Sequence, residues 1–165
     1  MEYILDGYNI IKNDRFSDLF NAVSLEKSRD KLLNFIYSCQ PQGNNEVTVV
    51  FDCRSKNPFD FDGFSSQTII GMKIIFSDGQ LRADDVIVDL IEKSKNAYAT
   101  TVVTNDKGIK RRLGGSGAKI QSVDEFVLKG IKNSQNKNKD KNKTADKNMT
   151  EQINSEFIEK WLNKK

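Results

Sequence analysis

Five aspartates stand where side chains of their type can do chemistry. Asp6 closes the apolar run 3–5, Asp52 closes 47–51, and Asp106 follows 101–104 by way of Asn105; Asp84 and Asp85 open a helical pattern. The chain contains no His, and its two cysteines, Cys39 and Cys53, are too far apart to form a CxxC pair. Imidazole-based nucleophilic triads, zinc sites that need His or paired Cys, and a disulfide framework are therefore excluded. What remains is carboxylate, hydroxyl, amide, Lys and Arg. Acids crowded on one rim repel and raise one another's pKa unless a cation neutralises them. An all-oxygen donor set suits Mg²⁺ or Mn²⁺. Such an ion activates a bound water and opposes the charge that builds on a scissile phosphate. The chemistry expected is metal-assisted hydrolysis of a phosphodiester. Each aspartate taken alone also fits a turn former or a helix cap, so the expectation rests on their convergence. Asp14, Asp18, Asp60, Asp62 and Asp78 read as surface or turn residues.

Convergence depends on the elements that carry the acids. Residues 3–5, 47–51, 68–76 (a strand or a pair bent at Gly71), 101–104 and 118–120 are short, apolar and largely β-branched, as buried strands are. Residues 25–39, 83–96, 109–113 and 123–131 repeat apolar groups at helical spacing, with Ser24 placed to cap the first of them. Strands alternating with helices predict an α/β fold with a parallel sheet and helices on both faces. In such a sheet the carboxyl ends of the strands and the helix N-termini share one edge, where ligands bind. The five acids then meet on that edge.

With 165 residues the chain is long enough for one domain with a real core. Its net charge of +3 is unevenly spread. Residues 132–150 hold six Lys against Asp140 and Asp146, a net of +4, whereas residues 1–131 carry −1 and 151–165 are neutral. The Lys- and Asn-rich residues 132–149 are nearly devoid of apolar groups and read as a disordered linker. It divides a domain over 1–131 from an amphipathic helix over 150–165, in which Phe157 and Trp161 would dock on the domain or on a partner. No secretory signal or membrane-length apolar run is evident, so a cytoplasmic setting is expected. Lys107, Lys110, Arg111 and Arg112 after Asp106, and Arg54 and Lys56 after Asp52, are candidate RNA phosphate ligands; a solvated helix face explains the first four as well. Phe59, Phe61 and Phe64 are candidates for base stacking or for core anchors. Gly114–Gly117 reads as a mobile loop and is not a P-loop, because no GxxxxGK[ST] occurs.

The segments Asp6-Gly7-Tyr8-Asn9, Val50-Phe51-Asp52, Arg82-Ala83-Asp84-Asp85-Val86-Ile87 and Val103-Thr104-Asn105-Asp106 resemble, in order, the motifs of the YacP-like NYN-domain nucleases of the PIN-like fold. The C-terminal Glu159-Lys160-Trp161 is similar to the end of that family. The resemblance implies a PIN-like three-layer sandwich and a metal-dependent endoribonuclease that cleaves mRNA in association with ribosomes. By resemblance Asp6, Asp84 and Asp106 are the catalytic metal ligands, with Asp52 and Asp85 at second-ion or supporting positions. Asn9 would meet the metal's water shell or a phosphate, unless it is a helix cap. One departure stands out: many members carry Glu four residues after the first Asp of the third motif, where this chain has Val88, with Asp89 one residue on. Two other readings stay open. One is an RNA- or ribosome-binding module without turnover. The other is a phosphatase, disfavoured because Asp6 is followed two residues on by Tyr8 rather than a second Asp.

Overall fold

The computed structural model describes residues 1–52, 65–77 and 81–141. Arg54, Lys56, Phe59, Phe61, Phe64, Asp60, Asp62, Asp78 and the C-terminal helix expected over 150–165 lie outside the described residues.

Six strands form one sheet: β1 (Glu2–Asp6), β2 (Glu46–Phe51), β3 (Ser65–Ile69), β4 (Met72–Phe76), β5 (Thr100–Val103) and β6 (Lys119–Gln121). Their spatial order is β3-β4-β2-β1-β5-β6, and every pairing is parallel except the β3–β4 hairpin. That hairpin turns through Ile70 and Gly71, both at positive φ (51° and 74°), as the tight turn of a twisted two-strand ribbon requires. The bend expected at Gly71 is thus a reversal, which makes the run 68–76 parts of two strands.

The strands are buried on both faces because they carry apolar residues at successive positions. Leu5, Val49, Ile74 and Val103 belong to one core cluster, whereas their chain neighbours Ile4, Val50, Ile75 and Val102 belong to the other. The two-residue side-chain period of a strand sends neighbours to opposite faces. The first face is covered by α1 (Gly7–Ile11), α3 (Leu25–Cys39) and α6 (Val123–Lys141), and by Phe16 and Phe20, which end a 3-10 turn (Asp14–Phe16) and α2 (Ser17–Phe20) respectively. The second face is covered by α4 (Ala83–Glu92) and α5 (Lys107–Arg112). The result is the α/β three-layer sandwich that the sequence leads one to expect.

Three local differences have physical causes. The short helices α1 and α2 have five and four residues, too few to show a helical period, and are held by tertiary contact. α4 ends at Glu92, not at 96, and Lys93 caps it. The last helix does not end at 131: α6 continues to Lys141, over the first ten residues of the stretch read as linker. Its extension is tied to the C-terminus of α3. Asn133 Nδ2 donates to the carbonyls of Cys39 (3.2 Å) and Gln40 (2.9 Å), and Lys137 Nζ donates to that of Ser38 (3.1 Å). Side chains that satisfy the last carbonyls of a neighbouring helix compensate for the missing apolar face. Among the described residues no helix is long and apolar enough to cross a membrane.

Candidate active site

The chain fills the sheet from β1 outward to β3 and then returns to place β5 on the other side of β1. The switch point therefore lies between the carboxyl ends of β1 and β5, where open α/β sheets bind ligands. An open cleft of about 720 Å³ lies there, and its walls include Asp6, Asp52, Asp84 and Asp106.

Asp6 ends β1 and caps α1 in one stroke. Its Oδ1 accepts from the Asn9 backbone N–H at 3.2 Å and its Oδ2 accepts from the Thr104 hydroxyl at 3.1 Å. The residue after it must be small, since a Cβ on Gly7 would run into the Phe51 ring. Asp6 is only 7% exposed. Burial pushes its pKa from 3.8 up to about 6; the two hydrogen bonds oppose that rise, and the charges of Asp84 and Asp106 add to it.

Asp106 caps α5. Its Oδ1 accepts from the backbone N–H groups of Gly108 (2.6 Å) and Ile109 (3.0 Å). Its own N–H donates to Thr104 Oγ1 at 3.0 Å. The buried Thr104 hydroxyl thus joins Asp6 to the backbone of Asp106. Beside it, Asn105 N–H donates to Asn9 Oδ1 at 2.8 Å, and Asn105 Oδ1 accepts from Val123 N–H at 3.1 Å. Asn9 is therefore not a helix cap. Its amide oxygen latches α1 to the β5–α5 loop, and the residue lines the cleft.

Asp84, in the first turn of α4, has its pKa raised chiefly by burial and then by Asp106, with Arg82 opposing. Asp52 accepts from the Ser77 hydroxyl at 3.0 Å. The acids seen from sequence as capping candidates are thus caps and cleft residues together at Asp6 and Asp106, and cleft residues without capping at Asp84.

Asp85 is placed otherwise. It does not line the cleft; its Oδ1 accepts from Arg112 Nη1 at 2.8 Å and its Oδ2 from the Arg82 backbone N–H at 3.3 Å. Those contacts hold its pKa below the ordinary value. Val88 is core, and Asp89 pairs with Lys93 at 2.7 Å on the outer face. The acid missing at position 88 is thus not replaced from position 89, and α4 contributes Asp84 alone. Lys107, Lys110, Arg111 and Arg112 sit on α5 outside the cleft lining.

Two cleft acids escaped the sequence reading. Asp14 lies in the 3-10 turn, and Asp124 in the first turn of α6. Asp124 Oδ1 is buried without a hydrogen-bond partner, its nearest cation being Arg15 Nη1 at 3.6 Å. The signal for Asp124 was present: it opens a helix after a predicted strand, as Asp84 does.

The donor set is all oxygen; the charges of Asp84 and Asp106 reach Asp6, and that of Asp106 reaches Asp84. The chemistry of the set fits a hard divalent cation. Among the described residues no three acidic groups stand ready-assembled as metal ligands.

A family model described as the YacP-like NYN domain matches residues 3–165. The chain belongs to the YacP-like NYN family, within the PIN-like nucleases. The match runs through the C-terminal segment as well as the domain. The fold is similar to two crystal structures of Rae1 (YacP) from Bacillus subtilis. One, of a Trp-to-Leu variant, is 25% identical with a TM-score of 0.67, over 98% of this chain and 89% of that one. The other is 27% identical with a TM-score of 0.67, over 87% and 80%. No curated protein matches. Membership of the NYN family accords with an acid-rimmed cleft at the sheet's switch point.

Proposed function

We propose that this protein is a cytoplasmic, metal-dependent endoribonuclease that hydrolyses mRNA phosphodiesters with Mg²⁺ or Mn²⁺, in association with ribosomes. The observation that carries the reading is the mutual crowding of Asp6, Asp84 and Asp106 on one cleft, where Asp6 and Asp84 have pKa values raised by burial and by neighbouring acids. Crowded, desolvated carboxylates are destabilising by themselves and gain from a cation. The mRNA and ribosome partners are those the family resemblance implies.

Asp6, Asp84 and Asp106 would hold the ion, with Asp52 and Asp124 on the same rim. The bound ion would supply a water of lowered pKa and positive charge beside the scissile phosphate. The chain's own part is positioning. Thr104 aims Asp6 from one side while Asn9 N–H holds it from the other, and the cap of α5 fixes Asp106. Rigid donors at a site where charge develops are worth more than mobile ones.

One observation favours the second reading, a binding module without turnover: no three acids stand preassembled among the described residues. Labelled RNA incubated with the protein in Mn²⁺ or Mg²⁺, with and without EDTA, separates the two. The nuclease reading expects cleavage that EDTA abolishes, and a rise in melting temperature with Mn²⁺ that Asp84→Asn removes. RNA that is bound but stays intact in both metals would leave the binding module.

A further inference from the structure

The cations that line the cleft do not come from α5. Lys12 and Arg15 line it from the C-cap of α1 and the following 3-10 turn, and Arg82 lines it beside Asp84. Lys12 is exposed, and its Nζ stands 5.4 Å over the ring of Tyr8, another cleft residue. That ring packs in an edge-type contact with Phe51 at 5.3 Å. Asn13 shapes the turn by accepting from Arg15 N–H at 3.0 Å. Arg15 stays half-exposed while its guanidinium faces Asp124 at 3.6 Å, and a guanidinium has donors for two acceptors at once. Arg112 on α5 is engaged by Asp85.

A polyanion approaching a cleft rimmed with carboxylates meets repulsion except where cations stand. Phosphate contacts set the position and direction of a nucleic acid. A ring beside a cation accepts the face of an unstacked base, and the stacking of a duplex would hide that face. We propose that a single RNA strand crosses the cleft along α1, with phosphates on Lys12 and Arg15 and an unpaired base against Tyr8. The proposal rests on the nuclease reading for its substrate class and adds the path and the strandedness.

The test is fluorescence anisotropy of a short labelled single-stranded RNA with the full chain in EDTA, run beside cleavage kinetics in Mn²⁺. Lys12→Gln/Arg15→Gln should raise Kd and KM with kcat little changed. It should flatten the slope of log affinity against log salt by about 1.4, because each single-strand phosphate that a cation neutralises adds about 0.7 to that slope. Lys12→Gln alone, at an exposed position that touches no acid of the site, should flatten it by about half as much, which guards against an Arg15 variant that disturbs Asp124. Tyr8→Phe should bind as the parent does, and Tyr8→Leu about 10-fold more weakly. Duplex RNA should compete poorly. The path is overturned if Lys73→Gln/Lys119→Gln, remote and charge-matched, weakens binding as much. It is also overturned if Lys107→Gln/Lys110→Gln/Arg111→Gln weakens it more, or if duplex RNA competes equally. A parent that binds with this pattern but cleaves nothing would sink the nuclease reading and leave the path standing.

Discussion

The cleft wall and the outer face of α4 and α5 hold the same kinds of side chain and treat them in opposite ways. Asp84 and Asp85 are adjacent in the chain, yet one has its pKa raised and the other lowered. On the outer face Asp85 meets Arg112, and Asp89 meets Lys93, both in reach of solvent. On the cleft side Asp6 and Asp84 are desolvated, and other acids stand among their nearest charges. The difference teaches that a carboxylate's role here follows from which way its helix turns it. Paired and solvated, it is a surface feature; crowded and desolvated, it is a destabilised anion that a cation or a proton relieves.

The largest expected effect breaks the comparison at its centre. Asp6→Asn and Asp84→Asn should each remove RNA cleavage, whereas Asp85→Asn should keep it and lower only the melting temperature. Asn is a good cap and can still accept from Asn9 N–H, so the Asp6 variant should stay folded. Equal losses of cleavage for Asp84→Asn and Asp85→Asn would erase the distinction drawn between the two faces.

Stability against pH sharpens it next. The Asp6 pKa is about 6 in the folded protein against 3.8 for the ordinary group, so the folded state binds this proton more tightly than the unfolded chain does. The contribution is therefore complete below about pH 3.8 and is lost as pH rises through about 6, to a total of about 3 kcal/mol. Denaturant melts of metal-free protein between pH 4 and 8 should show that decline superimposed on the rest, and Asp6→Asn should remove it. A variant whose stability falls as steeply as the parent's would mean that Asp6 is not the group concerned.

Thr104→Val comes third. It keeps the buried shape but deletes the hydroxyl that donates to Asp6 and accepts from Asp106 N–H. Leaving those partners unpaired should cost about 2 kcal/mol and should slow cleavage through misplacement of Asp6. Urea unfolding midpoints measure the first and kcat the second. The smallest effect belongs to the outer face. The Asp89–Lys93 pair is exposed at both ends, so Asp89→Asn should change stability by about 0.3–0.5 kcal/mol, within reach of careful thermal melts, and leave cleavage alone.

The sequence by itself determined the α/β alternation, the positions of nearly all the strands, and the acids at their ends. Apolar β-branched runs and helical periods are local signals, and Ser24 before the 25–39 helix is a local cap. The absence of His and of paired Cys determined the donor chemistry, because composition needs no fold. The order β3-β4-β2-β1-β5-β6 was decided only in three dimensions, and with it the meeting of Asp6 with Thr104 across 98 positions of chain. So was the sorting of Asp84 into the cleft and Asp85 out of it, since neighbouring positions on a helix differ by about 100° and packing chooses which one faces the sheet edge. Asp124 and Lys12 joined the site for the same reason: Asp124 sits on a helix that the local pattern shows and Lys12 caps one too short to show a pattern, and in both cases only the packing of the element on the sheet gives the residue something to face. The end of α6 was hidden for a converse reason. Residues 132–141 lack an apolar face, and the carbonyls of α3 that receive Asn133 and Lys137 lie more than 90 positions away in the chain.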